Sequence, residues 1–359
     1  MGIQLAVAAK TDVGKVRTNN EDAYVIADLN RGERVSAVTP TEFDVKARGV
    51  LLAVSDGMGG EQAGEVASAL VVETLRRVLV EQAPDTEEGK AAISKLIEDA
   101  VTKANEEVFA AAKDPGKRGM GATLTAVYVH GDAAYIAEIG DSRAYLIRGR
   151  RIRQMTRDQS FVQLLLDSGA ITAEEAENYP HKNIILQAIG QQKNLAVALG
   201  KLTLRRGDRL LLCSDGLSNK VTPDEMHDIV CAASALHDAC DKLVATANER
   251  GGDDNATVVL AQATGDDLAT HRDTETVTQT FEVVNPGPTT DIQTERPEPR
   301  AATATEQPTA TPNDATDDAP KPESPPLTEE ERKSRPLQIL VAIVMMLVMG
   351  GAFYFLIKD

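Results

Sequence analysis

The sequence is poor in the residues that most often build soft-metal and covalent-catalytic sites. Its three cysteines, Cys213, Cys231 and Cys240, have no metal-ligand spacing, which excludes a zinc ribbon or finger; in a domain read as cytosolic they are expected to be reduced core residues. The five histidines, His130, His181, His227, His237 and His271, are scattered, so none is assigned a catalytic role. No Ser or Cys stands in a nucleophile-elbow setting, so a covalent intermediate is not expected. Basic residues are in deficit: 38 Lys and Arg against 55 Asp and Glu give a net charge of −17, which argues against nonspecific nucleic-acid binding. The opening MGIQLAVAAKTDVGKV has neither a basic start nor an unbroken apolar stretch, so no signal peptide is read there.

What is present falls into three zones. A length of 359 residues with 42% hydrophobic content allows a sizeable core, and the periodic apolar patterns lie in residues 1–263. From Thr264 to Pro336 the composition turns to Thr, Pro, Asp and Glu with few large apolar side chains. Such a stretch cannot bury enough surface to offset ordering entropy and reads as a disordered linker. LQILVAIVMMLVMGGAFYFLI, Leu337 to Ile357, then holds no charged residue. As a helix it would cover roughly the 30 Å of a bilayer core, a better fit than a buried core helix after a polar tract. Arg332, Lys333 and Arg335 precede it and Lys358 follows, so the positive-inside tendency puts the long N-terminal part in the cytoplasm. The expectation is a membrane-anchored protein with a single C-terminal transmembrane helix.

Within the first zone, LAVAAKTD, DAYVIADL and GVLLAVSDG read as strands. Two amphipathic helices follow, one with Val66, Leu70, Val71, Leu75, Val78 and Leu79 on a face, the other with Ile93, Leu96, Ile97, Ala100, Val101, Ala104 and Val108. A meander comes next, then a helical insertion over FVQLLLDSGAITAEEAENY, the strands of LTLRRGDRLLLCSDG, a second helix pair and a closing strand in DNATVVLAQ. Strands and helices segregate rather than alternate, which argues for an α+β fold with antiparallel sheets.

Carboxylates recur where apolar runs stop. LLAVSDG ends at Asp56 and LLLCSDG at Asp215; Glu21 and Asp22 lie in NNED, Asp141 in EIGDSR, and Asp253 and Asp254 in GGDDN. Singly, each is explained by a tight turn or a helix N-cap. Together, if the strand ends converge, like charges would crowd one cleft and demand a counter-cation. An all-oxygen ligand set selects hard ions, Mg²⁺ or Mn²⁺.

RTNNED, SDGMGG, GATLTA, IGDSRAYL, SDGLSN and GGDDNATVVL, in that order and spacing, resemble the metal-dependent protein phosphatases of type 2C, closest to the bacterial serine/threonine branch, over about Leu5 to Gln262. The resemblance implies a four-layer sandwich, two stacked antiparallel β-sheets flanked by helices, with a dimetal site at one end. Asp56 would bridge two Mn²⁺ or Mg²⁺ ions, with the Gly57 carbonyl helping to hold one. Asp215 and Asp254 would complete the first ion's shell, Glu21 and Asp22 would orient the second, and Asp141 with Asp215 would form a third site. Arg17 would grip phosphate oxygens, and Asn255 would support Asp254. The implied reaction is hydrolysis of phosphoserine and phosphothreonine on proteins by a water or hydroxide bridging the two ions. Membrane serine/threonine kinases and their substrates are the partners suggested by the tether.

Thr156 to Thr172 falls at the family's flap, where Ser160 or Asp158 is weighed for a substrate role against plain packing. Met58 stands where animal relatives carry a histidine proposed as general acid, so the identity of the general acid is left open, with metal-bound water the substitute weighed. The alternatives carried are a phosphoprotein-binding pseudophosphatase, disfavoured because no ligand position is lost, and a phosphatase dedicated to a sigma-factor regulator. The threonines of DTETVTQTFEVV, Asp273 to Val284, are weighed as kinase targets against a solvated spacer.

Overall fold

A computed structural model describes residues 2–35, 41–59, 63–85, 92–177, 179, 183–271 and 280–284, the last by backbone alone. The strands are β1 (Gln4–Asp12), β2 (Asp22–Asp28), β3 (Glu33–Arg34), β4 (Thr41–Asp44), β5 (Val50–Met58), β6 (Gly121–Ala122), β7 (Leu124–His130), β8 (Ala133–Ile139), β9 (Arg143–Arg148), β10 (Arg151–Gln154), β11 (Val197–Thr203), β12 (Arg209–Cys213), β13 (Ala256–Thr264) and β14 (Thr280–Val284). The helices are α1 (Ala63–Gln82), α2 (Ile93–Ala111), α3 (Phe161–Asp167), α4 (Ala173–Glu177), α5 (Asp215–Ser218), α6 (Pro223–Ala232) and α7 (Leu236–Glu249).

The strands form two antiparallel sheets. One has six strands in the order β10-β9-β12-β13-β1-β4; the other has eight, β14-β11-β8-β7-β5-β2-β3 with β6 on β5. Three apolar clusters hold four layers together. Val25, Leu51, Ala53, Val71, Leu75, Ile97 and Val101 join α1 and α2 to the eight-stranded sheet. Leu5, Val7, Ile26, Leu52, Val54, Ile136, Leu212 and Val259 fill the space between the sheets. Leu211, Met226, Leu243, Val258 and Leu260 join α6 and α7 to the six-stranded sheet.

The unbroken LLAV of β5 follows from this layering. Leu51 and Ala53 face the helices while Leu52 and Val54 face the other sheet, so neither face is left for a polar residue. Truncating Leu52, fully buried, would cost about 2–5 kcal/mol.

Three expectations change. The buried stripe of α1 runs through Ala63, Ala67, Val71 and Leu75, while Val66 is exposed: small residues bring the helix close to the sheet, and a stripe of bulky residues alone misses them. The insertion expected to be one helical segment is two short helices, α3 and α4. Cys213 and Cys240 are buried and free as expected, but Cys231 is exposed, because it lies on the solvent side of α6.

The expected boundary after residue 263 is crossed. Leu268 is buried, and β14, inside the stretch read as linker, pairs antiparallel with β11, Thr280 opposite Lys201 and Val284 opposite Val197. The alternating Thr-Phe-Glu-Val-Val suits a strand, a signal that the surrounding polar composition hides. Among the described residues no helix is long and apolar enough to cross a membrane; the expected span, 337–357, lies outside them.

Candidate active site

Every singled-out carboxylate sits where a strand starts or stops at one pole of the sandwich. Asp22 opens β2, Asp56 lies near the end of β5, Asp141 follows β8, Asp215 follows β12 as the first residue of α5, and Asp254 precedes β13. Asp22 and Asp56 are directly opposite across the β2–β5 ladder. Asp215 and Asp56 are near enough for each carboxyl to act on the other's ionisation.

Several of these positions are held by named partners, most of them distant in sequence. Asp22 Oδ2 accepts from Ser214 Oγ at 2.7 Å, and Asn219 donates to Asp215 Oδ2 at 3.0 Å. The Asp56 N–H donates to Thr123 Oγ1 at 2.9 Å, and the Thr123 N–H returns a bond to the Asp56 carbonyl at 2.8 Å. Ser142 shares a 2.7 Å bond with the Thr123 hydroxyl, so Thr123 couples the β5 end to the Asp141 turn. Arg17 Nη2 lies 2.7 Å from Asp254 Oδ2.

Asn255 has a larger role than supporting Asp254. Its Oδ1 accepts from the Glu21 N–H at 2.7 Å, and its Nδ2 donates to the carbonyls of Val13 and Asn19, each at 3.0 Å. One side chain thereby pins the loop that carries Arg17, Glu21 and Asp22 to the β13 start.

The backbone is equally close. The Gly57 N–H donates to the Glu21 carbonyl at 3.1 Å, and Ser68 of α1 donates to that carbonyl at 2.5 Å. A Cβ on Gly57 would strike the Gly64 carbonyl, and one on Gly64 would come within 2.8 Å of Glu21 Oε1. Both glycines are required by this contact, which sets the start of α1 against the cleft.

Asp22, Asp56, Asp215 and Asp254 are half-buried, so each offers oxygen to the cleft while protein strips much of its water. Burial, reinforced by the neighbouring aspartates, pushes Asp22 up to about 7 and Asp141 up to about 7. It lifts Asp56 well above the carboxylate range and raises Asp215 and Glu21 as well. These groups cannot all be anionic together without a compensating cation. Among the described residues no three acidic, histidine or cysteine side chains form a finished cage; the aspartates meet in pairs. The set nevertheless fits a hard divalent ion: its donors are oxygens, and Asp22 Oδ1 is buried without a hydrogen-bond partner, an acceptor with capacity to spare.

The flap residues follow the packing reading weighed for them. Asp158 is gripped by Arg143 through Nε at 2.9 Å and Nη2 at 2.6 Å. Ser160, buried, accepts from the Gln163 N–H at the start of α3 at 3.2 Å. Both line a cavity of about 570 Å³ that also reaches Asp141, Asp215 and Lys220, but their polar atoms are engaged in holding the wall. Asp253, next to Asp254, pairs with Lys220. Thr123, Ser142 and Ser214 were not singled out from the sequence; the hydroxyl in each of GATLTA, GDSR and CSDG was the available signal.

Comparison with known proteins agrees with this geometry. The family described as protein phosphatase 2C matches residues 40–249. The protein phosphatase PhpP of Streptococcus pneumoniae is 38% identical over 264 residues, 73% of this chain and 99% of that protein. The serine/threonine protein phosphatase PstP of Mycobacterium tuberculosis is 39% identical over 262 residues, 72% of this chain and 45% of that protein. Among solved structures, the PstP catalytic domain in complex with two manganese ions superposes with a TM-score of 0.60 at 35% identity, covering 73% of this chain and all of that one. The S. agalactiae serine/threonine phosphatase gives 0.64 at 32% identity, covering 72% and 99%.

Proposed function

The chain belongs to the protein phosphatase 2C family, and on that footing we propose that this cleft hydrolyses phosphoserine and phosphothreonine on proteins by attack of water, without a covalent intermediate. The enzyme class, protein serine/threonine phosphatase, and the use of Mn²⁺ or Mg²⁺ go with the family. The observation that carries the reading is Asp22 facing Asp56 across one ladder, with Asp22 Oδ1 buried and unbonded.

Asp56 and the Gly57 carbonyl, with Asp215 and Asp254, are the groups that would hold one ion; Asp56, Glu21 and Asp22 would hold the second, and Asp141 with Asp215 a third. When bound, the ions supply the charge that acidifies the attacking water and screens the phosphoryl oxygens. The chain's own residues then orient the substrate. Arg17, half exposed, has donors left over from its bond to Asp254 for two phosphoryl oxygens. Met58, next to Gly57, has no proton to give, so this position supplies no acid to the leaving alkoxide.

The test is phosphate release from a phosphothreonine peptide. Turnover should require Mn²⁺, stop with chelator, and fall roughly a thousandfold in Asp56→Asn or Asp215→Asn, the several kcal/mol that ion-held charge stabilisation supplies. Circular dichroism should be unchanged. Substantial residual turnover in either variant would undo the dimetal assignment.

The finer reading adds a tether. The uncharged run at 337–357, with Arg332, Lys333 and Arg335 before it, supports a single transmembrane anchor at the end of a Pro/Thr-rich linker, the catalytic domain cytoplasmic and acting on membrane serine/threonine kinases and their substrates. Such a leash raises the local concentration of enzyme at the bilayer. Full chain should remain in alkali-washed membranes and lose that property when 337–357 is deleted; recovery of the full chain in the wash would remove the anchor.

A further inference from the structure

Cys231, the one exposed cysteine among three free ones, is not alone on its surface. Its Sγ lies 3.5 Å from His227 Nε2, one turn earlier on α6, and 3.6 Å from Arg209 Nη1 at the start of β12. The other imidazole nitrogen, Nδ1, is 3.1 Å from Asp228 Oδ1, and Nε2 is also 3.5 Å from the Gly149 carbonyl. The imidazole thus lies within reach of both the thiol and a carboxylate, and a guanidinium nitrogen also approaches the sulfur.

A ring that donates through Nδ1 to Asp228 leaves Nε2 free to accept the thiol proton, and a proton held there also meets the Gly149 carbonyl. Cys231 lies next to the C-terminal end of α6, where the helix dipole opposes a thiolate. The anion therefore depends on the two side-chain cations.

We propose that Cys231 is a thiol-modification site, at which His227 and Arg209 hold the sulfur as a nucleophile toward small disulfides. In the step, the Cys231 proton passes to His227 Nε2, and the thiolate attacks one sulfur of RS–SR. The Cys231 S–S bond forms as the reagent's S–S bond breaks, and RS⁻ leaves to take a proton from water. Cys231 is oxidised to the mixed disulfide, and one half of the reagent is reduced to thiol. Arg209 also lines a groove of about 290 Å³ with Val230 and Leu236, so the guanidinium that approaches the sulfur is itself open to small molecules. The site is at the opposite end of β12 from Asp215, so it is separate from the phosphatase cleft.

The probe is neutral dipyridyl disulfide, added to the full native chain while thiopyridone release is followed. One thiol should react fast, and Cys231→Ser should abolish that phase, leaving the buried Cys213 and Cys240 slow. His227→Asn and Arg209→Gln should each slow it at least about tenfold, and Asp228→Asn, at an exposed carboxylate, should slow it less. In urea all variants that keep Cys231 should react alike, which separates the effect from misfolding. A native rate no faster than the urea rate, or one unchanged by both His227→Asn and Arg209→Gln, would overturn the proposal.

Discussion

Arg17 donates to Asp254 across 2.7 Å, so the side chain proposed to grip phosphate rests on one proposed to hold a cation. Both are partly exposed, 48% and 35%, and a pair that open to solvent is worth about 0–1 kcal/mol. Arg17 can therefore exchange Asp254 for a phosphoryl group at little cost.

Arg17→Lys keeps the charge and loses the planar fork. A charge-assisted hydrogen bond contributes about 1.5–3 kcal/mol, so kcat/KM for a phosphopeptide should fall roughly 10- to 100-fold. Steady-state kinetics equal to those of the parent would remove Arg17 from phosphate binding.

Thr123→Val preserves shape while deleting the hydroxyl between the Asp56 N–H and Ser142. The orphaned N–H should cost about 1–3 kcal/mol of stability, and Mn²⁺ affinity should weaken by roughly 10- to 100-fold, as for other residues that orient a metal ligand. Titration calorimetry with Mn²⁺ reads the second effect directly; unchanged affinity would make Thr123 a fold residue alone.

The raised aspartates give the ion-free protein a defined pH dependence. Asp22 and Asp141 titrate near 7 in the fold and near 4 when unfolded, so between those values the folded state binds more protons. Stability of the ion-free chain should fall as pH rises through that window and level off above it. Mn²⁺ needs the anions, so the rise in Tm that it produces should be larger at pH 8 than at pH 5. Calorimetric scans with and without chelator would show it; an equal rise at both pH values would contradict the burial assigned to these groups.

Far from the cleft, Arg148 donates to Asp208 through Nε at 2.8 Å and Nη2 at 2.7 Å, and both side chains are buried. Asp208→Ala leaves a buried cation unpaired and should cost about 3–5 kcal/mol in urea unfolding. Replacing both residues with apolar ones of similar volume should cost much less.

The positions of Asp56 and Asp215 were legible because each lies where an apolar run ends, and a strand buried on both faces can be read as such a run. In the β5 ladder Asp56 stands opposite Asp22, which opens its strand. What holds them was not legible: Thr123 is 67 residues from Asp56 and Asn255 is 234 from Glu21, and hydrogen bonds over such separations leave no local pattern. The approach of α1 was missed because it depends on Ala63, Gly64 and Ala67, which hydrophobic periodicity discounts. The Cys231 cluster was missed because a cysteine on an apolar-periodic helix reads as core, and its cationic neighbour Arg209 comes from another strand.

The pairing of Asp22 with Asp56 has a consequence for how the chain folds. Side chains alternate between faces along a strand, so a slip of β2 against β5 by one residue would send these two carboxylates to opposite sides of the sheet. An ion held by both would bind only the correctly aligned ladder and, by mass action, would draw the chain away from mispaired alternatives, so the proposed metal site would also select the register of its own sheet.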